Sequence, residues 1–187
     1  MPRRLRLIVY SVLLTLALYM YWSAGHAPVL NESPPQTGLV LNDPLKPSGS
    51  LNVKRDSLTS AFKNIPFKLD FEYIPLADGR SRMIGRSADG LTLLELIGPP
   101  EGVTAISLMA ALPDGQPLIR LKNLNAISLL VETSLADWPE APSWVSNNID
   151  QAFAGGGATT SVNGKTVSMS VAPQTQTLVV TIAGPPL

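Results

Sequence analysis

The period of the hydrophobic residues changes twice along this chain, and that constrains the fold more than any single motif. Phe67, Leu69, Phe71 and Tyr73 alternate with Lys68, Asp70 and Glu72, the two-residue period of a half-buried strand. Asp78-Gly79 marks a turn, and residues 81–86 form a second strand with Arg82, Ile84 and Arg86 facing away from Met83. Asp89-Gly90 marks another turn. Residues 91–97 are almost continuously apolar, as expected of an interior strand, until Gly98-Pro99-Pro100-Glu101-Gly102 breaks them. Residues 103–112 are the fourth strand, closed by Pro113-Asp114-Gly115. Four strands on short turns form an antiparallel meander.

The period then becomes helical. Leu121, Leu124, Ile127, Leu130, Val131, Leu135 and Trp138 recur at steps of three and four, with Pro117 near the start and Pro139 at the end. A second helix takes Pro142 into its first turn, lines one face with Val145, Ile149, Ala152 and Phe153, and stops at Gly155-Gly156-Gly157. Strands return at 158–162, 166–171 and 177–182, the first two joined by Asn163-Gly164, a strong hairpin signal. A short helix over 58–64, capped by Ser57, precedes the first strand. Four strands, two helices and three strands give an α+β domain, with an antiparallel sheet of about seven strands and the helices packed on one face.

Ahead of this domain, residues 7–22 carry no charge and no proline. At about 1.5 Å per residue the run, continued to Gly25, reaches across a hydrocarbon core of about 30 Å. Arg3, Arg4 and Arg6 precede it, and Tyr19, Tyr21 and Trp22 close it. That order places the N-terminus in the cytoplasm and the rest outside. A cleaved signal sequence is the alternative. Pro28 follows a cut at Ala27, and Trp22 spoils a cut at Ala24, so the uncleaved anchor is the expected form. A lipoprotein is excluded, because its lipid is carried on a cysteine and the chain has none. Residues 1–25 are thus expected to be a basic tip and transmembrane anchor, 26–57 a disordered linker and 58–187 the exported domain. Pro28, Pro34, Pro35, Pro44 and Pro47 fit a tether that cannot offset its own ordering entropy. Asn31-Glu32-Ser33 has the spacing of a glycosylation acceptor.

Charge and side-chain chemistry narrow the function. From Leu58 onward there are eight Lys and Arg against eleven Asp and Glu, a balance of −3, so no basic surface for nucleic acid is expected. The one histidine is His26, in the linker, which rules out a Ser-His-Asp triad and histidine metal ligation within the domain. Asn163-Gly164-Lys165-Thr166 resembles the end of a phosphate-binding loop. The glycine that motif needs five positions earlier is Thr159, and a strand follows instead of a helix, so a type I′ hairpin is expected. Gly155-Gly156-Gly157 reads as a helix stop rather than an anion cradle.

Two catalytic candidates are open. Glu95, if buried, is a general acid; otherwise it pairs with Arg82 or Arg86 on a neighbouring strand. Ser60 and Lys63 have serine-lysine spacing on a short helix. Asp70 and Glu72 share a strand face but are too few for a calcium cage. Trp138 and Trp144 are expected to stack as core at the corner between the helices. No residue is therefore assigned to catalysis, a cofactor or a metal. The expected function is binding or assembly in the cell envelope by a single-pass membrane protein, with the bilayer held through 7–25 and an envelope protein or a second copy as partner. An enzyme using Glu95 or the Ser60–Lys63 pair, and a secreted soluble protein, are the alternatives. The strand at 177–182 is β-branched and uncharged, which fits either an open edge for a partner or the buried middle of the sheet.

Overall fold

The computed structural model describes residues 49–185. The apolar run at 7–25, the three arginines before it, His26, the triplet at 31–33 and most of the proline-rich linker lie outside the described residues. Among those described, no helix is long and apolar enough to cross a membrane.

The elements are α1 (Arg55–Lys63), β1 (Asp70–Tyr73), β2 (Arg82–Arg86), β3 (Thr92–Ile97), β4 (Ala105–Ala111), α2 (Pro117–Ser134), α3 (Ala141–Phe153), β5 (Ala158–Val162), β6 (Lys165–Ala172), a short 3-10 turn (Pro173–Thr175) and β7 (Thr177–Ala183). The seven strands form one antiparallel sheet in the order β1-β2-β3-β4-β7-β6-β5. The first four make the expected meander. The chain then crosses through α2 and α3 to the far edge, returns by the β5–β6 hairpin, and lays β7 between β4 and β6.

This settles the position of the last strand. β7 pairs along its whole length with β4 on one side and β6 on the other, so the edge alternative for 177–182 is wrong. Leu178, Val180 and Ile182 are fully buried. The strand lacks charge because it is central; a β-branched neutral strand gives the same sequence signal in both settings.

The register sorts the side chains onto two faces. Leu94, Leu108, Val180 and Met169 lie opposite one another across four strands, as do Leu96, Ile106, Ile182 and Val167. These join Leu58 and Phe62 of α1, Ile127, Leu130 and Val131 of α2 and Val145 of α3 in one core, so all three helices cover the same face. Burying each large aliphatic chain contributes about 1.5–3 kcal/mol. Gly85 has a packing reason: the Phe71 ring lies where its Cβ would be, 2.6 Å from Cε1. On the opposite face Glu72, Ile84, Glu95, Ser107, Thr181, Ser168 and Thr159 form one cross-strand row.

Four expectations about local structure need correction. First, the folded unit starts before residue 58. Leu51 N–H donates to Val103 O and Val103 N–H to Val53 O, and Leu51 and Val53 are buried. Proline-rich surroundings hid these two apolar positions. Second, α1 begins at Arg55, so Ser57 lies inside the helix rather than capping it. Arg55, Leu58, Thr59 and Phe62 form its buried stripe, and Arg55 Nη2 donates to Ser81 Oγ and Gly98 O. Third, β1 starts only at Asp70. Phe67 and Leu69 are buried as expected, but the N–H groups of Phe67 and Lys68 close a turn onto Asn64 O.

The fourth correction concerns α2. Its buried residues are Asn123, Ala126, Ile127, Leu130, Val131 and Ser134, while Leu121 is 57 % exposed and Leu124 only part-buried. Apolar residues occur all round this helix, so periodicity selects no single face. Asn123 works as a polar pin: its Nδ2 donates to Ala111 O at 2.6 Å and Leu91 O at 3.3 Å, and its Oδ1 accepts from Thr92 Oγ1 at 2.8 Å. α2 is thereby fixed to the ends of β3 and β4.

Candidate functional site

The structure separates most of the residues singled out by the sequence. Glu95 lies on the face opposite the three described helices, where its carboxylate meets Arg82 Nη1 at 3.4 Å; Arg82 also donates from Nε to Ile74 O. The cross-strand ion pair is the arrangement found. The nearest hydroxyls in that row, Ser107 and Thr181, bond each other at 2.9 Å. On α1, Ser60 and Lys63 are both exposed, and the Lys63 ammonium lies 5.8 Å from the centre of the Phe71 ring. Glu72 pairs with Arg86 at 3.5 Å. Among the described residues no group of three or more Asp, Glu, His or Cys could hold a metal ion.

Asn163 and Gly164 take φ values of 51° and 76°, the left-handed pair that a type I′ turn requires. Lys165 does not point to a phosphate site. Its ammonium donates to Asp137 Oδ1 at 2.7 Å and Ser134 O at 3.3 Å, and Asn163 Nδ2 donates to Asp137 O. The hairpin is stapled to the C-terminal end of α2. Lys165 holds the Asp137 carboxyl below the ordinary carboxylate range, against the smaller effect of burial. Trp138 and Trp144 are part-buried against the core, with ring centres 5.9 Å apart.

What remains open to a partner is set by the edges of the sheet. β1 is four residues long and carries Asp70 and Glu72, both exposed. Charge of that kind on an edge discourages strand pairing. β5 reads Ala158-Thr159-Thr160-Ser161-Val162, with no charge and no proline. Among the described residues it pairs only with β6. In a two-residue hairpin the flanking pair, Val162 and Lys165, exchanges backbone bonds, so Thr160 and Ala158 also bond towards β6. Thr159 and Ser161 therefore turn their N–H and C=O groups outward. Both are exposed. Sequence alone could not find this edge, because which strand is outermost depends on where β7 inserts.

Comparison of the chain with protein-family models, with curated proteins and with solved structures finds no match.

Proposed function

We propose that this chain is a single-pass membrane protein whose exported α+β domain binds or assembles in the cell envelope by adding a strand at β5. The observation carrying the proposal is the contrast between the two edges: one short and acidic, the other neutral, with the backbone groups of Thr159 and Ser161 turned outward. An added strand satisfies such groups with main-chain hydrogen bonds, while alternate side chains give selectivity. The uncharged run at 7–22 behind Arg3, Arg4 and Arg6 supports both the anchor and a domain on the far side of the membrane.

The test compares complexes extracted from native membranes. Ser161→Pro removes an outward donor without touching the β5–β6 ladder. The full chain should migrate in a complex larger than a monomer, and Ser161→Pro should reduce it to the monomer while keeping its folded circular dichroism. A folded Ser161→Pro protein in an unchanged complex would overturn the proposal. Topology is checked separately: a reporter active only in the cytoplasm, fused at Leu187, should be silent.

A further inference from the structure

We infer that the partner taken up at β5 is a second copy of this chain, paired β5 to β5 in antiparallel fashion about a two-fold axis through Thr160. This rests on the docking edge proposed above. Three properties of the strand point to self-pairing.

The first is hydrogen-bond parity. With the axis at Thr160, Thr159 of one copy faces Ser161 of the other, and these are the residues whose backbone groups point outward. Each such pair exchanges two N–H···O bonds. Both pairs are equivalent by symmetry, so four backbone bonds form and all five residues of each β5 are used. An axis between two residues would set an outward residue against an inward one and form none of them.

The second is charge. In an isologous contact every side chain meets its own surface patch, so a charge near the axis is opposed by its own copy. β5 has none, whereas the same operation on β1 would bring two copies of Asp70 and Glu72 together. The third is side-chain fit. On the face opposite the three described helices a threonine hydroxyl meets a serine hydroxyl; on the other face Thr160 meets Thr160, and Ala158 meets Val162. Large and small pair across the axis, and Thr–Thr and Thr–Ser are favourable cross-strand neighbours. The two sheets would then run on as one of fourteen strands, seven from each copy.

The chain contains no cysteine, so a single introduced thiol reports on this contact without background. Thr160 at the axis is a non-hydrogen-bonded pair, with Cα atoms about 4.5 Å apart, inside disulfide reach. Ser161 of the two copies would be about 8 Å apart, outside it. Full-length Thr160→Cys, oxidised mildly in the native membrane, should yield a covalent dimer of twice 19.9 kDa, and Ser161→Cys should yield at most a small fraction of that. Adding Ser161→Pro to Thr160→Cys should abolish the cross-link. Equal cross-linking by Thr160→Cys and Ser161→Cys overturns the register, and no dimer from Thr160→Cys overturns self-pairing. If no dimer forms while Ser161→Pro still dissolves the native complex, the edge docks a different protein, and only the present inference fails. If neither variant has an effect, both fall together.

Discussion

At the scale of single residues the molecule is held by polar side chains that fasten helices to loops. Asp89 is the clearest case. Burial pushes its carboxyl up, but hydrogen bonds from the Lys122 ammonium, the Ser87 hydroxyl and the Leu91 N–H outweigh it and leave the group at about 2. The unfolded carboxyl titrates near 3.8. Between those values the unfolded chain binds more protons than the folded one, so stability rises with pH there. The contribution is complete above about pH 4 and is lost on acidification towards about pH 2. Urea midpoints followed down this range should therefore fall more steeply for the wild type than for Asp89→Asn; parallel curves would remove the ion pair from the account. Asn123 makes a second residue-scale test. Asn123→Leu leaves the Ala111 carbonyl and the Thr92 hydroxyl without their partner, while the Leu91 carbonyl keeps the Ala111 N–H, at a cost of about 1–3 kcal/mol. Thr92→Val in the same chain should recover part of that loss in a denaturation cycle, because the two side chains are directly bonded.

At the scale of elements, proline tells the two kinds of strand apart. Val180 lies in β7, whose residues bond to a strand on either side, so Val180→Pro removes a ladder bond from the middle of the sheet. Against a total stability of about 5–15 kcal/mol this should prevent folding. Ser161→Pro at the open edge should leave thermal unfolding within a few degrees of the wild type. A folded Val180→Pro protein, read by circular dichroism, would contradict the strand order. The order of elements was legible: the Asn163-Gly164 hairpin reflects local geometry, and the alternation at 67–73 marked a strand although only Asp70–Tyr73 forms it. Strand order was not legible, because β7 sits between β4 and β6 through contacts with residues far away in sequence. The buried face of α2 was ambiguous for another reason: Leu118 and Leu121, both exposed, are as apolar as the buried Leu130. Arg55 escaped notice because a charged residue in a proline-rich stretch looks like linker, although it is buried against Ser81 and Gly98. The outward groups of β5 follow only once the strand order is known.

At the scale of the whole molecule, the first and last described residues lie together at one end of the sheet. Gly49 N–H donates to Pro185 O, and Pro185 lies beside the β5–β6 turn at Gly164. An antiparallel β5 pair therefore puts Gly49 of one copy and Gly49 of the other at opposite ends of the joined sheet. Residues 26–48 number twenty-three, a contour of at most about 80 Å, against strands of about 23 Å, a span sufficient for the anchors proposed above to share one bilayer. The central claim, that β5 is a free edge in the monomer and a covered one in the assembly, is tested most directly by amide hydrogen exchange on the full chain in detergent, across a dilution series. In the dilute monomer Thr159 and Ser161 should exchange fast while Thr160, bonded to β6, exchanges slowly. In the assembled form all three should be slow. Thr159 and Ser161 amides that stay fast in the assembled particle, or that are already protected in the monomer, would contradict the account.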